Sequence, residues 1–328
     1  MSRLKEIDIC KGIGILTVIW HHSLIKYPVN LLCLPWCQNA WRIDHLFFMQ
    51  IFFLVAGYLF GISKRRVYGD VVKSKVKRLL IPYLSFCLVS LALKIAVPQL
   101  VNRRVVDVGT YLYDMAFHGG ELWFVYVLFL MFMAWPLLLW RSNRTAQLVV
   151  IGGLVILNEV LSHDFLNGFL LNGEFVRYSI FFVSGYMLKD VDRSKLADKR
   201  GLMVSALLFM GCCIMQIRHW EAFPLMWLLM SVVGCWFVWS LSFQIERISG
   251  VSRALQYLGR MSLPLYWLNG FALVAVRSVA VKLIPDGHSV MLVLSIFAGC
   301  VLTELLALQA VKHIPVVRHL IGVVHVQF

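Results

Sequence analysis

The sequence predicts an all-α, polytopic transmembrane helical bundle of about ten spans with both termini in the cytoplasm. Three observations lead there. Residues of the AVILMFWYC set make up 60% of the 328-residue chain, where a soluble chain carries roughly 45–50% even with glycine counted. Only 15% of the chain is charged and its mean hydropathy is +0.78, against about 25% charged in soluble domains. The apolar residues also gather into runs that approach the roughly 20 residues a bilayer span needs. So little polar surface excludes a soluble enzyme, a disordered tail and a disulfide-rich secreted scaffold.

The expected spans are residues 9–26, 45–62, 79–97, 121–140, 146–162, 173–188, 201–217, 222–243, 262–283 and 290–311. Unbroken runs indicate helices, because a membrane barrel would show alternating segments of about ten residues. The fifth and sixth runs are short and carry Glu159 and Glu174. The first run is not a cleavable signal peptide: Lys11, His21 and His22 interrupt it, and no small-residue cleavage site follows.

Orientation follows from Lys and Arg. With the N-terminus inside, 21 of them fall in cytoplasmic segments and 6 outside. The inside set is Arg3, Lys5, the seven from Lys64 to Arg78, Arg141, Arg144, the five from Lys189 to Arg200, Arg247, Arg253, Arg260, Lys312 and Arg318. The outside set is Lys26, Arg42, Arg103, Arg104, Arg218 and Lys282. The net charge of +14 therefore reads as topology and as attraction to membrane lipids or an anionic ligand at one face, not as nucleic-acid binding. The expected organisation is one integral-membrane domain over residues 1–328, with no soluble appended domain and a longest connection, 98–120, on the outer side.

Most of the eight cysteines read as small buried hydrophobes. Cys33 and Cys37 share a loop where a disulfide would be allowed. No C-x2-C and H-x3-H pairing occurs, so no metal is expected.

Ionisable groups inside spans are costly and point to function. In IDICKGIGILTVIWHHS (residues 7–23), Lys11 and His22 lie eleven residues apart. That spacing puts them within roughly 20° on the helix and about 16 Å apart along it. One face thus offers a cation at the membrane surface and a titratable base at depth. The plainer readings are a snorkelling lysine and a helix–helix hydrogen bond. His21 points about 100° away from His22 and reads as packing. In KRRVYGDVVKSKVKRLLIPY (residues 64–83), Lys75 and Arg78 are three apart and share a helical face. Such a cluster suits phosphates or, more plainly, anionic headgroups.

These segments resemble the membrane-bound acyltransferase-3 family, the bacterial polytopic acyl-CoA-dependent O-acyltransferases. The first run looks like the family's first helix, in which ten residues separate a basic residue from His; Lys11 and His22 match, although Arg is commoner at the first position. FFMQIFFLVAGYLF (residues 47–60) is similar to the second family helix. KVKRLLIPY (residues 75–83) is similar to the basic-x-x-Arg motif, with Lys75 where Arg is common. LWF (122–124), FFVSGYML (181–188) and LGRMSLPLYWLN (258–269) resemble three later signatures. The last often ends in His, and here that position is Asn269. Relatives that modify peptidoglycan carry Glu after the Trp of the LWF-like segment; WFVYVLFL (residues 123–130) has none.

The resemblance implies an acetyltransferase of the inner membrane that takes acetyl-CoA from the cytoplasm, with no metal. Lys75, Arg78 and Lys11 would hold the phosphates of the donor. His22, with Lys11 on its stripe, would be the catalytic residue, as general base or as transient acyl carrier; its near-neutral pKa suits either role. The acceptor would be a hydroxyl of a cell-envelope glycan or lipid-linked sugar. His45, Glu121, Arg177 and Asn269 are the expected acceptor contacts. The alternative is a transporter or flippase for a lipid-linked sugar or an anion, although neither an inverted repeat nor paired broken helices is visible.

Overall fold

The computed structural model describes residues 4–24, 31–64, 67–97, 105, 107–161, 173–192, 198–220, 225–284 and 290–314. Arg3, Lys26, Arg65, Arg66, Arg103, Arg104, Arg193, Lys195 and Arg318, counted above for topology, lie outside these residues, as do the ends of the expected runs at 25–26, 162 and 222–224. Among the described residues all regular structure is helical. The chain divides into two compact units: Met1–Ile51 with Leu100–Asn102 and Asp192–Phe328, and Phe52–Gln99 with Arg103–Val191.

The first unit holds α1 (Lys5–Ser23), α2 (Pro35–Asp44), α10 (Lys199–Ile217), α11 (Leu225–Ile245), α12 (Ser249–Arg260), α13 (Ser262–Leu283) and α14 (Val290–Lys312). Helix α1 is its centre and packs against α2, α11, α12, α13 and α14. A helix that is apolar all round must be covered all round, and Ile7, Ile9, Cys10, Ile15, Val18 and Ile19 are at most 2% exposed. The closest approach is between α1 and α12. A Cβ on Gly12 would meet the Leu255 carbonyl, and one on Gly259 would meet the Asp8 carbonyl. In lipid, where apolar burial does little to hold helices together, such small-residue contacts let backbones touch.

That contact makes a prediction. Gly259→Val is expected to destabilise the unit by about 1–3 kcal/mol or more, the usual cost of overpacking where only backbone could yield. Gly250→Ala on the same helix, where nothing lies within 4 Å, is expected to be neutral. Melting in detergent checks both.

The second unit holds most of α3 (Gln50–Ile62), then α4 (Tyr68–Lys75), α5 (Ile81–Ala96), α6 (Val108–Phe117), α7 (Trp123–Leu139), α8 (Arg144–Val160) and α9 (Gly173–Met187). Helices α3 and α9 repeat the glycine device: Gly57 sits on the Phe182 carbonyl and Gly185 on the Leu54 carbonyl. Around them Phe53 stacks on Tyr178 at 4.8 Å, and Phe60 meets Phe132, Trp140 and Tyr186. Two of its buried polar side chains bond across helices. Trp135 donates to Ser179 at 2.9 Å, and the Tyr186 hydroxyl donates to the Leu139 carbonyl at 3.1 Å.

Helices α4 and α5 form one continuous rod, Tyr68–Ala96, with a π turn over Val76–Leu80. Pro82 explains the turn. It has no N–H for the Arg78 carbonyl and its ring crowds that oxygen, so the backbone widens just before it.

Among the described residues, six helices are long and apolar enough to cross a membrane: Tyr68–Ala96, Val108–Leu139, Lys199–Ile217, Leu225–Ile245, Ser262–Leu283 and Val290–Val311. Several expected boundaries move. The second run, expected over 45–62, is helical only as the 13-residue α3, because residues 45–49 form a turn after α2. The 98–120 connection contains α6, capped by Asp107, whose side chain accepts from the Thr110 N–H at 2.6 Å. Cys33 and Cys37 are both free thiols, so the disulfide is not formed. The wide apolar exposure of α8, α10 and α14, for example Val149, Leu207 and Leu306, suits a surface covered by lipid.

Candidate active site

His22 lies in the last turn of α1, half-buried, within the first unit. Its Nδ1 stands 2.5 Å from Asn269 Oδ1 on α13. The Asn269 amide nitrogen in turn donates to Glu304 Oε1 on α14 at 2.7 Å. Asn269 is 2% and Glu304 0% exposed. Three helices thus meet in one polar chain, His22–Asn269–Glu304.

The chain fixes a tautomer. With Glu304 ionised, its carboxylate only accepts, so the Asn269 NH2 faces Glu304 and its oxygen faces His22. His22 therefore donates from Nδ1–H, which leaves the lone pair on Nε2. An imidazole held in this way can take a proton at Nε2 or attack an electrophile with it. This orienting logic is that of nucleophile–base–orienter triads, with an amide and a carboxylate in series behind the ring.

A second cluster adjoins it. His21 Nδ1 donates to Asp44 Oδ1 at 2.9 Å, and its ring lies 5.7 Å from that of His22. The His21 ring stacks on Trp41 and on Phe48. His45 follows the end of α2. Its Nδ1 lies 2.6 Å from the Trp41 carbonyl and 3.2 Å from Asp44 Oδ1. The end of α2 therefore turns Asp44 and His45 toward the same imidazole, although neighbouring residues in a helix do not face each other.

The other expected residues fall in separate places. Lys11 pairs with Asp8 at 2.7 Å, one turn back on α1. Its helical separation from His22, about 16 Å, keeps it from the same reacting atom. Lys75 immediately precedes the π turn of the second unit, and Arg78 lies within it. The Lys75 ammonium lies 3.4 Å from the Phe132 ring centre, and Arg78 is exposed. Glu121 is held by Lys94 at 2.6 Å, so its carboxylate is already engaged by a cation. Arg177 is half-buried on α9, three residues after Glu174.

Sequence reasoning named His22 and Asn269 but did not join them. It read His21 as packing and did not place Glu304 beside either. The available signal for Glu304 was its isolation: it is the one acid in the 23 residues of α14.

A family model described as an acyltransferase domain matches residues 4–308, nearly the whole chain. No curated protein and no solved structure matches it.

Proposed function

The chain belongs to the acyltransferase-3 family, and from that premise we propose that it is an integral-membrane O-acyltransferase acting on a cell-envelope carbohydrate. The donor is cytoplasmic acetyl-CoA, and the acceptor is a hydroxyl of an envelope glycan or lipid-linked sugar. The protein lies in the inner membrane with ten spans and both ends in the cytoplasm, as the bias of Lys and Arg indicates. The observation that carries the reading is the His22–Asn269–Glu304 chain, which presents one imidazole nitrogen with its tautomer set.

Two routes use that nitrogen. As general base, Nε2 takes the proton of the acceptor hydroxyl while its oxygen attacks the thioester carbon, and the C–S bond breaks to release the thiolate. As acyl carrier, Nε2 attacks the thioester itself. The thiolate leaves, the hydroxyl then attacks the acyl-imidazole, and its proton passes to the thiolate or water. Asn269 holds the Nδ1 proton throughout both routes. The test is acceptor-dependent release of CoA thiol by the purified protein in nanodiscs. No release with any envelope glycolipid, and no binding of acetyl-CoA, would reject the proposal.

Donor phosphates are assigned to Lys75 and Arg78, with Lys11 as a further basic residue. Arg can bind phosphate with two parallel hydrogen bonds, and a charge-assisted bond is worth about 1.5–3 kcal/mol. Arg78→Ala is therefore expected to raise the KM for acetyl-CoA roughly ten- to a hundredfold with kcat little changed. Lys75→Ala is expected to act in the same direction. Initial rates over a donor series check this, and an unchanged KM in both variants would place the donor elsewhere.

A further inference from the structure

We propose that His21, Asp44 and His45 form a binding site for a divalent transition-metal ion of the zinc class. Each residue offers a donor atom, and the three atoms lie within 4.8 Å of one another. Asp44 Oδ1 is 2.9 Å from His21 Nδ1 and 3.2 Å from His45 Nδ1. Zinc bonds of about 2.0–2.2 Å in a tetrahedron place neighbouring donors about 3.3 Å apart, so the two Asp44 edges already stand near that spacing and an ion would draw the His21 and His45 donors, within 4.8 Å of each other, to it.

A second observation points the same way. Asp44 is 4% exposed, and its other oxygen, Oδ2, is buried with no hydrogen-bond partner among the described residues. An orphaned buried carboxylate oxygen is costly, and a cation held by both Asp44 oxygens would satisfy it. Two imidazoles and one carboxylate are a donor set suited to zinc.

The surroundings complete the site. The faces of the His21 ring are stacked against Trp41 and Phe48, which fixes its direction. His45 Nδ1 lies 2.6 Å from the Trp41 carbonyl; to ligate through that nitrogen His45 gives up this bond and carries its proton on Nε2. On binding, the proton on His21 Nδ1 moves to Nε2, so the ring stays neutral and no proton is lost. The His45 side chain is 32% exposed, which leaves an open side for water or another fourth ligand. An ion here would clamp α2 to the end of α1, beside His22. The inference stands apart from the acyltransferase reading and needs no activity to test.

The test uses the full chain in detergent, purified on a metal-free affinity resin without chelator. Elemental analysis is expected to find about one zinc per chain. After chelator stripping, Zn2+ alone should rebind in competition with a chromophoric chelator. Asp44→Asn and His45→Ala should each weaken that binding at least tenfold, while His313→Ala at an exposed position should not. His45→Gln, at the half-exposed ligand, serves if Asp44→Asn does not fold. Zinc retained equally by the variants would be an adventitious ion only and would overturn the site. Failure of the stripped, folded wild type to bind Zn2+ would overturn it as well.

Discussion

His22→Ala is expected to lower acyl transfer by a factor that also identifies the route, while the protein still folds and inserts. Loss of a positioned general base costs roughly 10²–10⁴-fold. Loss of a nucleophile that carries the acyl group costs far more, on the order of 10⁶. His22 is half-buried at the end of α1, and its removal leaves Asn269 Oδ1 without its donor. That orphan costs about 1–3 kcal/mol of stability, which glycine-tight packing of α1 on α12 can absorb. Thiol release by wild type and variant at equal folded concentration gives the factor. A drop of less than tenfold would remove His22 from the chemistry.

Asn269→Ala is the second large effect. The substitution leaves the His22 Nδ1–H without its acceptor and Glu304 Oε1 without its donor. The ring can then rotate or adopt the other tautomer. Losing the orienting group behind a catalytic imidazole costs about 10⁴-fold in comparable triads, so a loss of roughly 10²–10⁴ is expected, mainly in kcat. Asn269→His separates orientation from mere packing. A neutral imidazole has one acceptor and one donor nitrogen, so it can accept from His22 and donate to Glu304. It also restores the residue that the resemblance leads one to expect at this position. Asn269→His should recover most of the rate, and Asn269→Asp should not, because a carboxylate cannot donate to Glu304. Steady-state kinetics of the three variants decide it. Equal damage in all three would mean that Asn269 only fills space.

Hydropathy made the helical class and most spans legible, because apolar runs must be helices in a bilayer. It was blind to turns inside such runs. Residues 45–49 are as apolar as a helix would be, yet they form the turn that aims Asp44 and His45 at His21. The glycines at 12, 57, 185 and 259 are nearly neutral in hydropathy, and their importance appears only when two backbones meet. Within the site, His22 stood out as a polar group deep in an apolar run. Its links to distant partners did not, since Asn269 and Glu304 lie 247 and 35 residues along the chain from the groups they bond. No periodicity links such positions; only the packing of α13 and α14 on α1 does. Glu121 was legible as an acid at a helix start, but its pairing with Lys94, 27 residues earlier, was not.

The central claim is that this membrane protein moves an acyl group from acyl-CoA through His22. The most direct measurement follows the label itself: [14C]acetyl-CoA supplied to purified protein in nanodiscs loaded with lipid-linked envelope glycans, for wild type and His22→Ala. The account predicts label on the glycan with wild type and only background with the variant. Equal labelling by a folded His22→Ala protein would contradict it.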